Sequence, residues 1–189
     1  KDSDDGCAFL GTTMAEARLI GAPEVWKKIL ASIEAGRPRA ARQAADLLSG
    51  VVVAGVSEII DSPARYLAKK ASAATRSDAE LTTLALVRLA ATDSDSAAAL
   101  LQSRWERVLP GDLASYAWSS VARQTAIKLQ PEAANQFQRA GQVQGKSGRD
   151  IDLSHDVLAW KVRAALRADN GQPRWQQVVQ AIDAMLPEE

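Results

Sequence analysis

Val51-Val52-Val53-Ala54-Gly55-Val56-Ser57-Glu58-Ile59-Ile60 is the one run of this 189-residue chain where a strand is arguable, and its reading decides the fold class. β-Branched side chains favour extended backbone. A strand here would have no pairing partner elsewhere in the chain, and an isolated strand leaves its backbone donors and acceptors unsatisfied. The run therefore reads as a helix, and the chain as all-α.

The flanking sequence reads as helices on both sides. Ser62-Pro63 restarts a helix carrying Tyr66 and Leu67, and Ser77 with Glu80 has capping-box spacing for a helix reaching about Ala91. Upstream, Thr13 with Glu16 has the same spacing ahead of a short helix to about Ile20, which Gly21, Ala22 and Pro23 end. Trp26, Ile29, Leu30 and Ile33 then share one helical face. Gly36 closes that helix and Pro38 opens another, lined by Ala41, Ala44, Ala45 and Leu48, so the two form a hairpin whose small residues allow close approach.

Downstream, Ala97, Leu100, Leu101, Trp105 and Val108 predict a stripe over about 96–109, ended by Pro110-Gly111. Ala114, Ala117, Trp118, Val121, Thr125 and Leu129 predict another, and Ala133, Phe137 and Ala140 a third. The glycine-rich segment 141–150 shows no apolar period and reads as an exposed connection, where a single 1–189 domain could subdivide. After it, Ser154 caps a last hairpin. Leu158, Val162, Ala165 and Leu166 form one stripe, Gly171 and Pro173 punctuate the turn, and Trp175, Val178, Val179 and Ile182 form the other. The prolines fall at predicted helix ends and never inside a predicted helix. The count is about ten helices with no confident strand.

Trp26, Trp118 and Trp160 each stand early in the first helix of a hairpin, and hairpins begin near 24, 78, 112 and 154. The spacing, roughly 34 to 54 residues, overlaps that of paired-helix repeats without fitting a strict tetratricopeptide array. The architecture expected is an irregular α-superhelix of stacked hairpins.

Composition narrows function. Lys plus Arg and Asp plus Glu number 23 each, so no net field draws the chain to nucleic acid or anionic lipid. Charges interrupt every apolar run short of the roughly 20 residues of a membrane helix. The start at Lys1, with no initiator methionine and no leader, suggests a processed or excised chain.

Chemistry is sparse. One histidine, His155, and one cysteine, Cys7, offer no metal-ligand spacing, and His155 reads as a first-turn residue. Gly145-Lys146-Ser147 lacks the upstream glycine of a phosphate loop. Glu58, Asp61, Asp150, Asp152 and Asp156 are the clustered carboxylates, and acidic residues at helix starts serve the helix dipole. The five tryptophans lie on or beside apolar stripes and read as core. Lys161, Arg163 and Arg167 form a basic patch that could meet an anionic polymer, against the alternative of a solvated face. No catalytic, metal or cofactor residue emerges.

Trp160-x-x-Arg163-Ala164-Ala165-Leu166-Arg167 followed by Trp175-x-x-Val178-Val179-x-Ala181-Ile182-x-x-Met185 resembles the last helices of the superhelical region of soluble lytic murein transglycosylases. Cys7, Trp26-x-x-x-Leu30, Ala35-Gly36, Ala41-x-x-x-Ala45-x-x-Leu48 and Pro63 are similar to the start of that region. The resemblance implies a periplasmic, non-catalytic scaffold without cofactor. It implies a parent enzyme that cleaves peptidoglycan glycan strands to 1,6-anhydro ends through a separate lysozyme-like domain, expected after residue 189. The family's Glu-Ser pair and Gly-Leu-Met-Gln stretch do not occur in this chain, so no catalytic residue carries over. The other readings are a protein-binding, tetratricopeptide-like α-solenoid and an all-α enzyme in its own right. The partner of Cys7 and the oligomeric state are left open.

Overall fold

The computed structural model describes residues 5–147, 153–168 and 172–185. All regular structure among them is helical. The helices are α1 (Asp5–Glu16), α2 (Ala22–Glu34), α3 (Pro38–Ala45), α4 (Gly50–Asp61), α5 (Pro63–Lys69), α6 (Arg76–Ala90), α7 (Ser94–Leu100), α8 (Glu106–Val108), α9 (Gly111–Ile127), α10 (Ala133–Ser147), α11 (His155–Leu166) and α12 (Trp175–Asp183). A π-helical turn, Leu101–Trp105, joins α7 to α8 without a break. The chain divides into two compact units, Lys1–Arg88 and Leu89–Glu189.

In the first unit the β-branched run is helix α4. Val52, Val56, Ile59 and Ile60 are buried at i, i+4, i+7 and i+8, a helical stripe that no strand could bury on one face. Gly55 lets this helix approach α6 closely: a Cβ there would lie 3.0 Å from Leu81 Cδ2. Helix α6 is buried nearly all round from Ala79 to Ala90. Helices α2 and α3 pack as the expected hairpin, and Trp26, Ile29, Leu30 and Ile33 of the one and Ala41 and Ala45 of the other are buried. Arg42 bridges to Asp61 at 2.7 Å, tying α3 to α4.

Two capping assignments differ from the sequence reading. Helix α1 ends at Glu16, where a helix was expected to be under way. The Thr13 hydroxyl there donates back to the Phe9 carbonyl, an intrahelical bond rather than a cap. At α6 the reciprocal pair is Thr75 with Asp78, each accepting from the other's backbone N–H at 3.1–3.2 Å. Glu80 instead takes Arg76 at 3.1 Å. The Ser/Thr-x-x-acid spacing occurs twice within six residues, and the helix begins at the first.

Three helices end in a left-handed residue whose own N–H and that of the next residue donate the two Schellman bonds: Arg18 (φ 56°), Gly36 (φ 69°) and Leu129 (φ 59°). Only Gly36 suits that backbone. Leu129 is 56% exposed, so Leu129→Gly should raise stability by about 0.5–1 kcal/mol by relieving a steric cost without emptying a core site. Gly36→Ala should lower it by about 1 kcal/mol. Urea midpoints read both; a loss on Leu129→Gly would show that the leucine contact outweighs the backbone cost.

In the second unit the dominant packing is α9 against α10, with α11 on α9 and α12 on α11. Ala122, Ala126, Ala133, Ala134, Ala164 and Ala168 surround Phe137 and Val157, so small residues bring three helices onto one large ring. The segment read as an exposed connection from 141 is helical through Ser147, because buried Val143 extends the Phe137–Ala140 stripe. The remainder of that segment, 148–150, lies outside the described residues, as does Gly171.

The π turn has a cause legible in the apolar spacing. Ala97, Leu101, Trp105 and Leu109 are all buried and recur every four residues. An α-helix turns 3.6 residues per revolution, so a strict four-residue repeat drifts off its face, and one wider turn corrects the drift. Val108, expected inward, is consequently 49% exposed, and Leu109 takes the core position.

Candidate functional site

Helices α11 and α12 carry the residues that the sequence singles out for ligand contact. Ser154 caps α11 by accepting from Val157 N–H, which leaves His155 exposed in the first turn. Backbone N–H of Arg174 donates to the Ala165 carbonyl at 3.0 Å, closing the turn between the two helices. The Arg174 guanidinium reaches Asn135 at 2.7 Å and Gln138 at 3.2 Å on α10, fixing where α12 starts.

Helical geometry sorts the basic patch. Successive residues turn about 100°, so Asp156, Trp160, Arg163 and Arg167 share one face while Lys161 points well away from it. Arg163 and Arg167 are exposed, and the Arg163 guanidinium stacks 4.9 Å from the Trp160 ring centre. Asp156 is engaged by Arg123 of α9. Lys161 is half-buried, and desolvation pulls its ammonium below the ordinary lysine value. The three-residue basic patch is therefore a pair, Arg163 and Arg167, beside a half-buried indole.

The tryptophans divide likewise. Trp26, Trp105 and Trp118 are core, as read. Trp160 is half-buried and Trp175 is 63% exposed, because α12 packs through Val178 and Ala181. Val179 (53%) and Ile182 (45%) are exposed with Trp175, so most of the predicted α12 stripe faces outward.

The sequence reading missed one polar cluster. Glu106, on the turn following the π segment, accepts from Trp118 Nε1 at 2.9 Å, from Arg139 Nε, and from Arg139 Nη2 at 3.3 Å. Arg139 also lies over the Trp118 ring, 5.1 Å from its centre. One carboxylate thus joins α8, α9 and α10. The signal for it was the four-residue repeat, since the π turn rotates Glu106 toward α9.

The clustered carboxylates are tied to cations. Glu58 accepts from Lys70 at 2.6 Å and Arg65 at 3.4 Å, and the Lys70 ammonium foremost holds its carboxyl below the usual range. Asp61 is paired with Arg42 and Asp156 with Arg123. Asp150 and Asp152 lie outside the described residues. Among the described residues no group of three or more His, Cys, Asp or Glu is placed to hold a metal ion. No described helix is long and apolar enough to cross a membrane. Compared with known proteins, the chain matches no family model, no curated sequence and no solved structure.

Proposed function

We propose that this chain is the non-catalytic superhelical domain of a peptidoglycan lytic transglycosylase, a periplasmic scaffold for a lysozyme-like catalytic domain that also meets the glycan strand. The observation that carries this reading is the α11–α12 pair: the residues on which the resemblance rests, Trp160 to Arg167 and Trp175 to Met185, lie on or just past the ends of adjacent, packed helices. Glu58 does not suit the role of proton-donating acid. Its two cations lower its pKa, whereas an acid that protonates a glycosidic oxygen needs a raised one.

The test is the encoded sequence after Glu189. The proposal expects a lysozyme-like segment with a Glu-Ser pair and a Gly-Leu-Met-Gln stretch; a frame that continues into any other domain sinks it. Glycan contact is tested separately by sedimentation with insoluble peptidoglycan. The chain should pellet several-fold more than an unrelated helical protein of equal charge, and equal recovery would remove glycan contact from the reading.

A second reading, a protein-binding α-solenoid, is favoured by one observation. Trp175, Val179 and Ile182 form an exposed apolar stripe on α12, and such stripes mark surfaces that meet another protein.

A further inference from the structure

We propose that the outer face of α11 is a binding site for an acidic peptide, built by Arg163 and Arg167 with Trp160 as its apolar floor. This goes beyond the scaffold role and does not depend on it. The two arginines stand four residues apart on one face, about 6 Å between their Cβ atoms, and both are exposed. Among the described residues neither is in an ion pair: the acidic residue on their own face, Asp156, is taken by Arg123. Among the described residues that face is therefore positive, in a chain whose formal net charge is +0.

Trp160 makes the pair more than two solvated side chains. Stacking at 4.9 Å restrains the Arg163 guanidinium over the indole, which reduces the freedom lost when an anion binds. A restrained guanidinium presents a planar fork of donors that fits a carboxylate with two parallel hydrogen bonds. Trp160 is half-buried, so the part of its ring that the guanidinium leaves uncovered is apolar surface for the aliphatic part of a glutamate or aspartate side chain. Lys161, half-buried and turned away, takes no part.

The same observations favour carboxylates over a phosphate polymer. Nucleic-acid surfaces neutralise many phosphates with a field of Lys and Arg. Here two guanidinia stand on a molecule in which positive and negative residues balance at 23 each. Two carboxylates on one short peptide match two guanidinia in number.

The probe is an alanine-based peptide carrying two glutamates four positions apart, titrated into the full chain and followed by the Trp160 indole N–H signal in nitrogen–proton spectra. Expected results are a saturable shift of that signal, weaker binding as salt rises, and about two- to five-fold weaker binding for each of Arg163→Ala and Arg167→Ala. Arg39→Ala, an exposed charge in the first unit, controls for net charge and should bind as the parent does. Equal binding of the glutamine version of the peptide overturns the proposal. So does undiminished binding by both arginine variants, or tighter binding of a single-stranded oligonucleotide of equal charge.

Discussion

Phe137→Ala is expected to destabilise the second unit by about 4 kcal/mol, the middle of the range for truncating a buried aromatic. Phe137 is the one large ring in a cluster otherwise made of alanines and a valine, contributed by α9, α10 and α11, with Leu153 and Trp160 at its margin. Ala122, Ala126, Ala133, Ala134 and Ala164 have no side chain long enough to extend into the vacated space, which leaves only Val157 and the marginal Leu153 and Trp160 to do so. Otherwise the helix axes would have to move, and α10 is held on α9 by Ser115, whose hydroxyl donates to the Ala140 carbonyl at 2.8 Å. Phe137→Leu keeps most of the volume and should cost under about 1.5 kcal/mol. In a Trp26→Phe background the remaining four tryptophans all report on the second unit. A urea transition followed by their emission should move strongly for alanine and little for leucine. Equal shifts for the two variants would show that the cluster re-forms around the space.

Gly55→Leu should destabilise the first unit by about 1–3 kcal/mol, the usual cost of forcing methylenes into a packed interface. A Cβ at residue 55 would lie 3.0 Å and 3.1 Å from the two methyls of Leu81, and Leu81 is itself buried. The first added carbon already demands that Leu81 give way by a few tenths of an ångström, and a leucine at this half-buried position adds three more carbons beside the same contact. Intrinsic propensity argues the other way, since leucine is better than glycine in a helix by nearly 1 kcal/mol. The sign of the measured change therefore decides between packing and propensity. Trp26 is the only tryptophan of the first unit, so its emission follows that transition when the other four are replaced by phenylalanine. Greater stability in Gly55→Leu would mean that α4 and α6 are not held at the observed distance.

Much of the helical framework was legible residue by residue. The α2–α3 hairpin followed from Trp26, Ile29, Leu30 and Ile33 on one side and Ala41 and Ala45 on the other, with Gly36 and Pro38 between. Pro23, Pro38 and Pro63 stand in the first turns of α2, α3 and α5, where a missing N–H costs nothing. The caps of α1 and α6 were misread because a four-residue capping motif recurs by chance. At α6 the choice between Thr75 and Ser77 is made by where the preceding chain turns: Ser72 N–H donates to Thr82 Oγ1 at 3.1 Å, and that hydroxyl donates to the Ser72 carbonyl at 2.7 Å.

The candidate site was legible in part. The i, i+4 spacing of Arg163 and Arg167 put them on one face, and the same 100° step already separated Lys161 from them, although the sequence reading grouped all three. Trp175 was not legible. An amphipathic stripe states that a helix has an apolar side, but α12 has apolar residues on two flanks. Which flank meets α11 depends on the small Ala181 and Val178, which permit close approach.

By itself, the sequence determined most of the helices, α1 and the end of α10 excepted, because a backbone's local choices depend on the period of apolar residues, on proline and glycine, and on the lack of any strand partner for Val51 to Ile60. Only the tertiary structure decided which side chains stayed outside and which charges were spent. The π turn that exchanges Val108 for Leu109, the outward face of Trp175, and the capture of Asp156 by Arg123 all depend on how neighbouring helices meet. Packing is a property of pairs of helices, and the pattern of one helix does not contain its neighbour's shape.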